Sequence, residues 1–256
     1  MIENAANSSN AKVNAKATEQ RKAVTIPSMV ELSKIQFFVV AAIPVLFAIT
    51  VHEVAHGWVA KRLGDPTAMM MGRLTLNPVK HIDPIGTVLV PIAIFWLGGF
   101  LFGWAKPVPV TWENLKHPKR DMALVAVAGP LANLIMAIGW AIVMKIGLSF
   151  SPDLSYVAIP LIYMGFMGIL INCALMVLNL LPLPPLDGGR IMSSLLPGPL
   201  AWKYNRLEPY GLYILLFLLI SGGLAWVLMP PLSASISVIG TLFDVNPQMM
   251  TLMRTL

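Results

Sequence analysis

Five stretches of this chain, residues 35–60, 85–104, 122–148, 157–186 and 210–229, each run for about 20 residues or more with hardly a charge among them. A segment of that length and polarity matches the roughly 30 Å hydrocarbon core of a bilayer, and in lipid every backbone N–H and C=O must be satisfied within the segment, which leaves the helix as its form. The expected fold is therefore an all-α polytopic membrane protein. Composition agrees: 57% of the 256 residues are hydrophobic and 12% charged, where soluble domains carry about 25% charge. The net charge of +6 fits the lysine and arginine bias of cytoplasmic loops better than nucleic-acid binding, since no basic face accompanies it. Cys173 is the only cysteine, which excludes an intramolecular disulfide and a multi-thiolate metal site.

The chain divides into a polar, disordered N-terminal tail over 1–34, a core over 35–190, and a C-terminal helical region over 191–256 that adds a further span. The stretch 85–104 is broken by Pro91 and by Gly98-Gly99. The tail of the apolar region, 230–243, is too short for an upright crossing and is expected at the interface.

Within the first span stands His52-Glu53-Val54-Ala55-His56, an H-E-x-x-H pattern. Residues four apart share a helix face, so both imidazoles can reach one cation with Glu53 beside them. That is the arrangement a water-activating zinc requires: imidazole nitrogen as ligand, a water made acidic by the metal, and a carboxylate to collect its proton. Shuffling this composition would produce roughly 0.001 such patterns. An inert polar face is the competing reading, but two imidazoles and a carboxylate at membrane depth cost several kcal/mol, which a metal offsets.

Catalytic zinc generally has three protein ligands, so a third is expected elsewhere. The fourth apolar stretch ends in Asn179-Leu180-Leu181-Pro182-Leu183-Pro184-Pro185-Leu186-Asp187-Gly188-Gly189, where prolines and glycines must unwind the helix. Asp187 is the only acidic residue between Asp153 and Glu208, which makes it the candidate third ligand. An ordinary Asp-Gly-Gly turn at a span end is the alternative.

Together these motifs resemble the site-2 protease family of intramembrane zinc metalloproteases, whose signatures are H-E-x-x-H and N-x-x-P-x-P-x-L-D-G. Every fixed position is present: His52, Glu53, His56, then Asn179, Pro182, Pro184, Leu186, Asp187 and Gly188. Gly129-Pro130-Leu131-Ala132-Asn133 is similar to the family's G-P-x-x-N entry to a core helix. The resemblance implies one Zn2+ per chain on His52, His56 and Asp187, with Glu53 as base, and membrane-spanning protein substrates trimmed by an earlier cut. It implies a multi-pass protein of a bacterial cytoplasmic membrane. Only sixteen residues separate Trp104 from Asp121, too few for the PDZ domain some members insert, so a compact member without PDZ or CBS domain is expected.

The histidines and Asp187 must lie at similar depth, each near the C-terminal end of its own stretch. Full crossings by every intervening stretch would put those ends on opposite sides, so 85–104 is expected to be re-entrant. Most loop cations then share one side, while 149–156 carries only Asp153; the basic N-terminal tail opposes this. Asn179 is the side chain expected to assist the reacting carbonyl, with helix capping as its alternative, and Asn133 is expected to pack. His81 is read as structural, His117 as solvated, and Gly222-Gly223 as close helix packing. Two other functions compete: a zinc-binding scaffold that cleaves nothing, against which the intact Glu53 stands, and a metal transporter, which would favour several spaced sites rather than one compact set.

Overall fold

The computed structural model describes residues 33–89 and 106–253. Residues 1–32 of the expected N-terminal tail and 90–104 of the expected re-entrant segment lie outside the described residues. Four long helices are apolar enough to cross a membrane: α1 (Lys34–Arg62), α3 (Pro118–Leu148), α4 (Ser155–Asn179) and α8 (Gly223–Leu242). Shorter helices are α2 (Thr67–Met70), α5 (Asp187–Leu195), α6 (Gly198–Asn205), α7 (Glu208–Ile220) and α9 (Asn246–Met253), and no strand occurs among the described residues.

The ends of α1 follow local chemistry. Ser33 and Gln36 exchange side-chain and backbone bonds in a capping box, and Lys61 and Arg62 stand in the last turn, where positive charge meets the helix dipole. The helix α4 stops at Asn179 because Pro182, Pro184 and Pro185 cannot continue it. The chain turns through Leu180–Leu186 and winds again from Asp187, so this aspartate opens α5 rather than sitting in the unwound stretch itself.

Helices α3 and α4 make the closest pair. Gly165 lies against the Met144 backbone and Gly168 against the Trp140 ring, both too close to admit a Cβ, and Gly147 packs tightly on Ile162. Small residues at such crossings let backbones approach, which is what drives helix association where lipid is as apolar as the side chains. The core continues through Phe166, Ile169 and Cys173 to Ile236, Met249 and Leu252. The outward faces carry Phe38, Phe47, Ile135 and Ile142, exposed as lipid-facing residues are.

Residue pairings set the helix directions. Met144 meets Gly165 while Asn133 meets Asn172, so α3 and α4 are antiparallel. His52 and His56, late in α1, meet Val125, Gly129 and Asn133, early in α3, so α1 and α3 are also antiparallel. The chain thus leaves α1 and enters α3 at the same level, where the Lys116 N–H donates to the Leu63 carbonyl at 3.1 Å.

The last span differs from the expected 210–229. Gly222, at φ +75°, takes the left-handed conformation that closes α7, and α8 starts at Gly223 and includes Pro230 and Pro231. Glycine adopts that conformation without steric cost, so Gly222 serves as a break rather than as a packing surface. The stretch 230–243 is accordingly the second half of a helix long and apolar enough to cross a membrane, rather than a short separate tail.

Candidate metal centre

Helix α1 carries His52 and His56 one turn apart, and both rings are buried against α3. Their centroids are 4.6 Å apart and their planes nearly perpendicular. Gly129 makes this possible, because a Cβ there would run into both imidazoles. Pro130 follows it and withdraws one backbone N–H from the same turn of α3.

Both rings are anchored through Nδ1. His52 Nδ1–H donates to the Asn133 side-chain oxygen at 2.6 Å, and His56 Nδ1–H donates to the Val125 carbonyl at 2.7 Å. A carbonyl only accepts, so His56 must carry its proton on Nδ1, and the same holds for His52 while Asn133 presents its oxygen. In the neutral rings each Nε2 is then a lone pair. The two Nε2 atoms stand 3.1 Å apart, and Asp187 Oδ2 lies 3.3 Å from the first and 3.2 Å from the second.

With both rings neutral, two lone pairs and a carboxylate oxygen crowd together and repel one another, and Asp187 Oδ2 is buried without a hydrogen bond. Such a group needs a cation. Zinc ligands at about 2.0 Å in tetrahedral array are about 3.3 Å apart, so edges of 3.1, 3.2 and 3.3 Å outline one face of that tetrahedron. The donor set, two imidazoles and one carboxylate, is zinc's own preference, and the fourth position is left for water or substrate. The residues present therefore fit the metal. His52, His56 and Asp187 are the one group of this kind among the described residues.

Asp187 is carried to this place by the Leu180–Leu186 turn and by what packs on it. The Tyr204 hydroxyl donates to the Pro182 carbonyl at 2.8 Å, and Gly211 of α7 lies on the Pro184 carbonyl where no Cβ would fit. Gly188 and Gly189 fold the start of α5 tightly against Leu180, Leu181 and Pro184. An acidic residue in the first turn also faces the positive end of the α5 dipole.

Glu53 is half-buried and accepts the Val108 N–H at 2.7 Å. Val108 is held in turn by its neighbours. The Lys106 N–H donates to the His81 carbonyl at 3.0 Å, and Arg73 Nη2 donates to the Lys106 carbonyl at 2.8 Å. On the other side, buried Asp65 accepts from the Thr111 N–H at 2.7 Å, from Asn114 Nδ2 at 3.0 Å, and from the hydroxyl and N–H of Thr67. Burial alone would raise the Asp65 pKa, but the bonds from Thr67, Asn114 and Thr111 outweigh it and hold the carboxyl below its ordinary value.

The remaining expected residues fall into place as follows. Asn179 donates to the Leu175 carbonyl at 3.0 Å, a bond within its own helix. His81 is buried and bonds the Thr75 carbonyl at 2.9 Å, a structural role, and His117 is exposed. Asn133 does more than pack, since it holds His52. Val108 and Asn172 were not singled out by sequence reasoning. An asparagine inside an apolar span is itself a signal, because an unpaired amide there is expensive, and Asn172 lies two helical turns before Asn179.

Comparison with known proteins points to a zinc metalloprotease family. The profile described as Peptidase family M50 matches residues 40–159 and 153–222. The chain is 40% identical to "Putative zinc metalloprotease YwhC" of Bacillus subtilis over 203 residues, 79% of this chain and 90% of the relative. It is 30% identical to "Putative zinc metalloprotease Rip2" of Mycolicibacterium smegmatis over 197 residues, 75% of this chain and 71% of the relative. No solved structure gives a significant match. With a family profile covering most of its length and a buried His-His-Asp centre between membrane-spanning helices, the chain belongs to peptidase family M50, the site-2 protease family of metalloproteases.

Proposed function

We propose that the protein is an intramembrane zinc endopeptidase that cuts peptide bonds within or near the transmembrane segments of other membrane proteins. The observation that carries this reading is the triangle of His52 Nε2, His56 Nε2 and Asp187 Oδ2, with edges of 3.1 to 3.3 Å, on helices that are themselves spans or adjoin one. Zinc held by these three residues would supply Lewis acidity toward a water and toward the scissile carbonyl.

The rest of the chemistry falls to the chain. Glu53, next to His52 and fixed by the Val108 N–H, takes a proton from the attacking water and returns it to the departing amine nitrogen. Asn179 is the side chain that would steady the carbonyl as it gains charge. One N–H of its amide is spent on the Leu175 carbonyl, so this role falls to the second N–H. A substrate helix hides its carbonyls in its own hydrogen bonds and must unwind before attack, which favours substrates with helix-weakening residues.

In this reading residues 35–190 form the protease core, and 191–256 buttress it through Tyr204 and Gly211. Arg62, Lys116, Lys119 and Arg190 stand at the level where α1 ends and α3 begins, which by the positive-inside rule is the cytoplasmic side of a bacterial cytoplasmic membrane. The test is Glu53→Gln, assayed by metal analysis of the purified chain and by cleavage of co-expressed single-span proteins. Full zinc content with turnover lowered about 10²-fold or more is expected. A Glu53→Gln chain that still cleaves, or a wild-type chain without stoichiometric zinc, would refute it.

A further inference from the structure

We propose that Asn172, which touches no metal ligand, is a positioning residue that fixes the tautomer of His52, so that Nε2 meets the metal as a lone pair. The inference rests on the zinc reading above and extends it to a residue on a different helix. A directed line of hydrogen bonds runs inward from the backbone of α4. Asn172 Nδ2 donates to the Gly168 carbonyl at 2.8 Å, and Asn172 Oδ1 accepts from Asn133 Nδ2 at 2.9 Å. Asn133 Oδ1 in turn accepts from His52 Nδ1 at 2.6 Å. All three side chains are buried, both amides completely, so no solvent can substitute for a missing partner.

Polarity is the point at issue. An asparagine amide can turn over about its last torsion with little intrinsic cost, exchanging oxygen for nitrogen. Were Asn133 to turn, its NH2 would face His52 Nδ1. That nitrogen would then have to accept, the proton would move to Nε2, and Nε2–H would point into the ligand triangle in place of a lone pair. His56 is spared this ambiguity because Val125 offers a backbone carbonyl, which cannot be turned over.

Two contacts hold Asn133 the right way round. Its Nδ2 donates to Asn172 Oδ1 at 2.9 Å and, more weakly, to the Ala48 carbonyl at 3.3 Å. Asn172 could itself turn over, except that this would set its oxygen against the Gly168 carbonyl. The immovable acceptor at the head of the line thereby dictates every donor below it, down to the His52 tautomer. Partners of metal-bound histidines commonly change metal affinity 10- to 100-fold when removed. Asn172 extends that influence one residue further out.

The experiment uses the full chain in detergent, with zinc affinity read by competition with a chromogenic chelator, Co2+ substitution read by its visible spectrum, and thermal unfolding of the metal-free protein. Asn172→Leu removes the acceptor at similar volume and is expected to bind zinc about 10- to 100-fold more weakly, with a weakened tetrahedral Co2+ band. Asn172→Asp, neutral when buried, offers a carbonyl to Asn133 and a hydroxyl to Gly168, and is expected to stay close to wild type. If Asn172→Leu does not fold, Asn172→Ala takes its place. Wild-type affinity in the Leu or Ala variant overturns the proposal, as does an equal loss in Asn172→Asp that tracks metal-free unfolding, which marks a purely structural role. A wild-type chain that takes up no zinc overturns the functional reading and this one together, whereas zinc-loaded wild type beside an equally loaded Asn172→Leu overturns this one alone.

Discussion

Gly129→Ala is the sharpest probe of how α3 shapes the metal centre. A Cβ at 129 would stand 2.5 Å from His52 Cε1 and 2.6 Å from His56 Cε1, where ordinary contacts begin near 3.4 Å. One partner must therefore yield by about 1 Å. The rings cannot swing freely, because their Nδ1 atoms are fixed at 2.6 and 2.7 Å to Asn133 and Val125. Either a ring moves and the 3.1 to 3.3 Å triangle opens, or α1 and α3 part. Overpacking of this kind costs about 1–3 kcal/mol, which corresponds to a loss in zinc affinity of roughly 5- to 150-fold if it falls wholly on the holo state. The assay is chelator competition for zinc beside thermal unfolding of the metal-free chain. Gly139→Ala is the control, since its Cβ would meet nothing within 4 Å, and helix propensity makes it neutral or slightly stabilising. Wild-type affinity and wild-type unfolding in Gly129→Ala would show that the rings do not rest on α3 in the way described.

Three further outcomes are expected. Asp187→Ala removes the one carboxylate of the proposed ligand set, so the purified variant should lose stoichiometric zinc while keeping its far-UV circular dichroism; retained metal would place the third ligand elsewhere. Chelation should lower the unfolding temperature of the wild type, since a ligand bound only to the folded state at 100 times its Kd adds about 2.7 kcal/mol, and Asp187→Ala should show no such shift. The Asp65 carboxyl is held below its ordinary pKa, so its stabilisation is complete above the unfolded value of about 3.9 and drains away as pH falls through the lower folded value. Asp65→Asn should therefore lose about 1–3 kcal/mol at neutral pH and respond less than wild type to acidification below pH 4, measured by denaturant unfolding; equal acid responses would contradict this.

How much of this was legible in the residues depends on the kind of information each feature needs. The His52-Glu53-His56 face is a property of one helix, and a period of 3.6 residues gives it directly. Asp187 was reachable by elimination, because a membrane chain has few carboxylates to choose from, although the short helix it opens is set by tertiary packing. Helix α4 was extended too far on paper because hydropathy continues through Pro182–Leu186, whereas backbone hydrogen bonding ends at Asn179. The last span failed for the opposite reason: Pro230-Pro231 reads as an end, yet the decisive break is the left-handed turn at Gly222.

What no single-helix periodicity can give is the register between helices. That Gly129, rather than Gly139 ten residues on, faces the two imidazoles is a fact about how α1 slides along α3. That Asn133 meets Asn172 rather than Asn179, one heptad away on the same face, follows from the Gly165 and Gly168 contacts that lock α3 against α4. Sliding α4 by two turns would offer Asn133 another amide of the same chemistry, so composition alone cannot choose between them. The glycines choose, because only one register places Gly168 beneath the Trp140 ring and Gly165 against Met144. Small residues far from the chemistry thus decide which asparagine of α4 backs Asn133, and through it the tautomer in which His52 meets the carboxylate.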